Sequence, residues 1–268
     1  MTRGALFFAY NTAETDYVKL AEFSARRVKK WLGIPSTLIT DSDIKSNYFE
    51  NVIFAENNNS SMRYFEDRGC SIEWRNFGRN SAFRLSPYDQ TLLLDVDYII
   101  DNDRLLSVMN SSYDFLCHDS AIDVTGIKSN NKTFGKFNMP MSWATVIVFN
   151  KTHHSKKIFE IMKMVEENYE HYGNLYGFSP SPFRNDYALS IALSIVSGHV
   201  VDKTHSIPWP MINVYPENSV TIDETDCFEI EYIKRTRTGE RLCKNIITNQ
   251  DLHIMGKSYL EALVEASC

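Results

Sequence analysis

Short apolar runs separated by an amphipathic helix set the first constraint on this chain. "ALFFAYN" (5–11) is too short for a buried helix and reads as a strand. Over 16–32, Tyr17, Val18, Ala21, Ala25, Val28 and Leu32 recur at helical spacing. Thr15 is the predicted N-cap, Arg26, Arg27, Lys29 and Lys30 complement the dipole at the far end, and Gly33 supplies the stop. "STLITD" (36–41) and "NVIFAE" (51–56) are the next strands. Strand, helix, strand in this rhythm predicts an α/β fold with parallel pairing and right-handed crossovers.

Further along, a helix around 78–86 closes at Pro87 and leads into an apolar strand, "LLLDVDYII" (92–100). "YDFLCHD" (113–119), "WATVIVFN" (143–150), "HVVD" (199–202) and "CFEIEYIK" (227–234) read as strands completing one mixed sheet. Helices are predicted over 155–171 and 185–197, the second ending at Gly198. With 268 residues, 43% of them apolar, and no linker or internal repeat, the expectation is a single domain spanning 1–268.

Asp95 and Asp97 are the chemically demanding residues. Alternate side chains of an extended segment share a face, so the two carboxylates are expected side by side, and burying them unpaired costs several kcal/mol. A cation, or emergence of the strand into solvent, must relieve them. Ligands of open α/β sheets gather beyond the carboxyl ends of strands, where Tyr10, Asn11, Asp41, Asp95 and Asp97 all fall. A dehalogenase-type phosphatase also ends a strand in DxD, but near its N-terminus with Thr or Ser soon after; here Tyr98 follows. A sugar-pyrophosphorylase-like nucleotidyltransferase needs a glycine-rich loop after the first strand, and "FAYNTAETD" has no glycine.

"DLHIMGKSYL" (251–260) adds His253, Gly256 and Lys257. With these residues the chain resembles the GT-A glycosyltransferases, most closely the glycogenin and bacterial galactosyltransferase-like group, which pairs a strand-end DxD with a late HxxG. The resemblance implies a Rossmann-like mixed sheet flanked by helices and an enzyme moving sugar from a nucleoside-diphosphate sugar to an acceptor hydroxyl, with retention. It further implies Asp95, Asp97 and His253 as ligands of Mn²⁺ or Mg²⁺. The ion stabilises the departing diphosphate, and an imidazole in the set favours Mn²⁺. Gly256 would let backbone approach the diphosphate, and Lys257 would neutralise it.

Other matches are looser. Arg79, sixteen residues before Asp95, takes the place of a basic residue that reaches the donor; a solvated helix charge reads equally well. "FRNDYALSIAL" (183–193) places Asn185 and Asp186 at a helix start over the donor, where Asp186 would orient the acceptor or act as base, unless either only caps the helix. Tyr10, Asn11, Thr12 and Asp41 match the positions that hold base and ribose. Departures are Tyr187 for the family's glutamine, Trp143, Ala144 and Thr145 for an Asn and a small pair, and a lysine two places early.

The net charge of −6 gives no general attraction to nucleic acid or anionic membrane. The segment 234–244, with Lys234, Arg235, Arg237, Arg241 and Lys244, is either a solvated hairpin or a polyanion-facing edge aided by Arg63, Arg68, Arg75 and Arg84. The chain is also similar to bacteriophage glycosyltransferases, some of whose relatives decorate hydroxymethylated DNA bases, which makes such a base the leading acceptor. A glycan, lipid or protein acceptor, or a nucleotide-sugar-binding module without turnover, are the alternatives. Five widely spaced cysteines without a CxxC pair, and no apolar run of membrane-spanning length, predict a cytoplasmic protein.

Overall fold

The computed structural model describes residues 1–56, 61–65, 69–75, 77–126, 132–200, 206–236 and 239–266. Arg68, Arg237, Val201 and Asp202 lie outside the described residues, as do the side chains of Arg63 and Arg235. The fold is α/β, with a mixed sheet flanked by helices.

Strand β1 (Arg3–Phe8) is followed by α1 (Tyr17–Leu32), β2 (Ser36–Thr40) and β3 (Asn51–Phe54). The start of α1 differs from expectation: Asp16, not Thr15, is the N-cap, accepting from the Lys19 N–H at 3.0 Å. Gly33 ends the helix in the left-handed region, as its lack of a Cβ allows. Next come β4 (Ser61–Phe65) and β5 (Cys70–Trp74), an antiparallel pair absent from the sequence reading. The helix expected over 78–86 is a 3-10 turn, Arg79–Ser81, and one short turn of α-helix, α2 (Ala82–Leu85).

Strand β6 (Gln90–Leu94) stops before the aspartates, and β7 (Tyr98–Ile99) starts after them. Then follow α3 (Arg104–Met109), β8 (Phe115–His118), β9 (Ala121–Asp123), the small pair β10 (Thr133–Phe134) and β11 (Met139–Pro140), and β12 (Trp143–Asn150). The long helix expected over 155–171 is two, α4 (His153–Glu167) and α5 (Tyr169–Tyr176), divided at Asn168. Helix α6 (Asn185–Val196) comes next; His199 lies in the turn that follows, with Gly198 at φ 68°, and Val200 has no regular structure, so neither is in the expected strand. The chain closes with β13 (Met211–Val214), β14 (Ser219–Ile222), β15 (Phe228–Thr236), β16 (Gly239–Ile247), β17 (Leu252–Ile254) and α7 (Lys257–Ala266).

The main sheet runs β3-β2-β1-β6-β12-β8, parallel from β3 to β6, with β12 antiparallel to both neighbours. Every residue of β2 and β6 and nearly all of β1 and β12 are buried, so both faces are covered, which is why these strands read as continuous apolar runs. α1 packs on β1 and β2, and α6 packs on β12 and against α4.

The late strands do not join this sheet. β14-β15-β16 form a separate antiparallel sheet, which corrects the expectation for 227–234, and β7-β17-β13-β9 form another. In the latter, β17 pairs antiparallel with β7, placing His253 opposite Tyr98. That pairing brings the end of the chain beside the aspartates.

Gly4 has a packing reason to be glycine: a Cβ there would lie 2.2 Å from the ring of Tyr88, whose hydroxyl is 2.8 Å from Thr37 Oγ1. Gly4→Ala is expected to lower the unfolding free energy by about 3 kcal/mol, at the upper end of overpacking costs. Denaturant titration checks this, and an unchanged midpoint would remove the proposed clash.

Candidate active site

Asp95 and Asp97 lie on the turn between β6 and β7, not within a strand. The turn is held by the Asp95 N–H on the Thr145 carbonyl at 2.9 Å and the Tyr98 N–H on the Asp95 carbonyl at 3.1 Å. From the other side, the Ile254 N–H donates to the Asp97 carbonyl at 2.9 Å, pinning β17. As a result one ligand atom from each of Asp95, Asp97 and His253 lies within 4.8 Å of the others. His253 Nε2 is 3.7 Å from Asp97 Oδ1, too far for a hydrogen bond, and His253 Nδ1 is 2.9 Å from Asn213 Oδ1. Two carboxylates and one imidazole suit a hard divalent ion, Mn²⁺ better than Mg²⁺, so the residues fit the expected metal.

Each carboxylate also meets a cation. Arg79 is 1% exposed and donates from Nη1 to Asp95 Oδ1 at 2.5 Å, so it is no solvated helix charge. Lys257 is ion-paired with Asp97. Burial pushes the Asp95 carboxyl up to about 6, with Arg79 opposing the rise and Asp97 adding to it. For Asp97 burial acts in the same sense, but Lys257 and His253 outweigh it and hold the carboxyl below the usual range.

These groups line a cavity of about 450 Å³ together with Tyr10, Trp74, Arg75, Trp143, Arg184, Asn185 and Asp186. Asn11, Thr12, Asp41 and Gly256 lie outside its wall. Asn11 and Asp41 bear on it through Arg75, which donates to the Asn11 carbonyl at 3.1 Å and to Asp41 Oδ2 at 2.5 Å and sits 5.7 Å from the Tyr10 ring. Burial, with Asp41 adding to the rise, pushes the Tyr10 hydroxyl up to about 12. Thr12 closes a local turn with Thr15. A Cβ on Gly256 would lie 3.0 Å from the Tyr259 ring and 3.4 Å from Pro216 Cα, a packing reason for the glycine.

Neither Asn185 nor Asp186 caps α6; the N-cap is Arg184. Asp186 Oδ1 accepts from the Ala144 N–H at 2.9 Å and Oδ2 accepts from Arg184 at 2.8 Å. Its carboxylate thus ties α6 to β12 and holds Arg184 in the cavity wall. Sequence reasoning missed Trp74, Arg184 and Asn213. The signal for Asn213 was legible, an amide inside the apolar run "MINV".

The turn carrying Arg79 is braced from α4, where Glu166 accepts from Asn80 Nδ2 at 2.8 Å and burial raises its carboxyl above the ordinary value. Such a group contributes stability that is present below its unfolded pKa and lost as pH rises through the folded one. Glu166→Gln keeps the acceptor and removes the charge. We expect it to raise the unfolding midpoint at pH 8, with the difference closing toward pH 4; a gap independent of pH would contradict this.

The basic hairpin has mixed charge. Lys234, Arg241 and Lys244 share β15 and β16 with Glu229, Glu231 and Glu240, and Lys244 pairs with Glu229 at 2.5 Å. Among the described residues no helix is long and apolar enough to cross a membrane.

No protein-family model matches the chain, and no curated protein matches it in sequence. Among solved structures it is similar to the glycosyltransferase GlyE of Streptococcus pneumoniae TIGR4, at 14% identity and TM-score 0.44, covering 78% of this chain and 46% of that one. It is similar to the galactosyltransferase LgtC in complex with donor and acceptor sugar analogs, at 16% identity and TM-score 0.46, covering 71% of this chain and 70% of that one. It is also similar to the inositol-1-phosphate CTP transferase from T. maritima, at 10% identity and TM-score 0.40, covering 74% and 82%. The chain thus spans less than half of GlyE, and likenesses this weak carry no function to it.

Proposed function

We propose that this chain is a metal-dependent glycosyltransferase of GT-A type, 1–268 forming one domain, which moves a sugar from a nucleoside-diphosphate sugar to an acceptor hydroxyl. The observation that carries the reading is the meeting of Asp95, Asp97 and His253 within 4.8 Å at a cavity of about 450 Å³, room for a nucleotide-sized ligand. These three residues would hold Mn²⁺, which when bound supplies Lewis-acid stabilisation of the leaving diphosphate.

The chain's own groups do the rest. Asp95 and Asp97 are matched by Arg79 and Lys257, so any further positive charge in the cluster faces the cavity, where it suits a diphosphate. Arg184, paired with Asp186, and Arg75, paired with Asp41 beside Tyr10, add further guanidinium donors to the cavity wall for the donor's phosphates. Asn185 lines the same wall. With both oxygens of Asp186 engaged, we assign it to orientation rather than proton abstraction. This supports retention, with the departing phosphate taking the acceptor proton.

For the acceptor, a hydroxymethylated base in DNA remains the proposal from the basic segment. The glutamates interleaved there leave room only for weak phosphate contact, and a glycan, lipid or protein hydroxyl competes with it.

Incubation with a panel of nucleotide-sugars and Mn²⁺, reading free nucleotide, tests the reaction. Metal-dependent release from one donor is expected. Tight donor binding without release across the panel would make the chain a binding module instead. Mass analysis of hydroxymethylated oligonucleotides then tests the acceptor.

A further inference from the structure

Asn213 is fully buried on β13. This strand is central in its sheet, with Asn213 opposite His253 of β17 on one side and Asp123 of β9 on the other. Its backbone is therefore fixed on both edges. The side chain meets His253 through Oδ1, 2.9 Å from Nδ1, while Nδ2 has no hydrogen-bond partner among the described residues. A half-satisfied buried amide costs stability, and an aliphatic residue would continue the strand between Ile212 and Val214 without it, but would leave Nδ1 of the buried His253 without its acceptor. What Asn213 supplies at this position is that acceptor.

A carbonyl oxygen only accepts, so this contact calls for a hydrogen on Nδ1 of His253, and in the neutral imidazole that a metal requires, the lone pair is then on Nε2. Nε2 is the nitrogen that faces Asp97 Oδ1 at 3.7 Å. The buried Trp143 ring sits edge-on to the imidazole, its centroid 6.4 Å away and its plane inclined by 75°. The imidazole thus has an acceptor at Nδ1 and an aromatic ring packed edge-on beside it.

We infer that Asn213 is a positioning residue for metal binding, fixing through its side-chain carbonyl the tautomer and pitch of His253 so that Nε2 joins Asp95 and Asp97 on one divalent ion. This rests on the metal reading above. Outer partners of a histidine ligand typically govern metal affinity by about 10–100-fold.

The test is Mn²⁺ titration of the donor-free protein, reading the free Mn²⁺ signal by electron paramagnetic resonance, for wild type, Asn213→Leu and Asn213→Asp. Asn213→Leu is expected to weaken Mn²⁺ binding about 10–100-fold while remaining folded. Asn213→Asp keeps the acceptor and should bind Mn²⁺ at least as tightly as wild type. Asn213→Ala replaces the leucine variant if that one does not fold. Wild-type affinity in Asn213→Leu, or equal loss in both folded variants, would overturn the role of Asn213 and leave the metal site standing. A wild-type chain that binds no Mn²⁺ would remove the metal site and this inference together.

Discussion

Asp97→Asn is expected to cut nucleotide release from the donor by about a thousandfold or more, because it removes a charged ligand from the group that stabilises the leaving diphosphate. Folding should survive. The amide keeps an oxygen to accept from Lys257, and Asp95 still lies close enough to favour the charged lysine. The thermal midpoint should therefore fall by only a few degrees, on the order of the cost of one weakened polar contact. The measurements are a circular-dichroism melt and a release assay on the same preparation. Full activity in this variant with chelator present would refute the metal role.

Arg79→Met should act the other way, on the fold first. Its guanidinium is buried against Asp95, and Nη2 also reaches the Thr145 carbonyl at 3.4 Å. Removing one partner of a buried pair strands the other charge, at about 3–5 kcal/mol, or roughly 10 °C in the midpoint of a chain this size. The pH dependence has a definite sign. Asp95 already sits near 6 through burial, and losing Arg79 moves it further up. Such a carboxyl takes a proton in the folded state, so the variant loses stability as pH rises through that pKa. The deficit should be larger at pH 8 than at pH 5. A solvated arginine would change stability by only about 0.5 kcal/mol, so a variant that melts with wild type at both pH values would contradict the burial argument.

Much of the backbone was legible because it is locally determined. The runs of β1, β2, β6 and β12 are buried on both faces and stand out as unbroken apolar stretches, and α1 carries its stripe, basic end and Gly33 within one contiguous segment. Local signals failed where they were shared. Helical spacing persists through Asn168, where α4 ends and α5 begins, and the apolar residues of 227–234 would suit either sheet. Only β14 and β16, as actual partners, decide between them.

The same division runs through the site. From the order of residues alone come the chemical types: two carboxylates after an apolar strand, a late imidazole, and cations that read equally well as surface or site. Tertiary structure decided that Arg79 is buried, that Asp186 holds Arg184, and that Asn213 lies opposite His253. The physical reason is separation along the chain. Periodicity reports which face of a segment avoids water, but a contact such as Asn213 with His253, forty positions apart, exists only once β13 and β17 pair in one register, and no local pattern encodes that register.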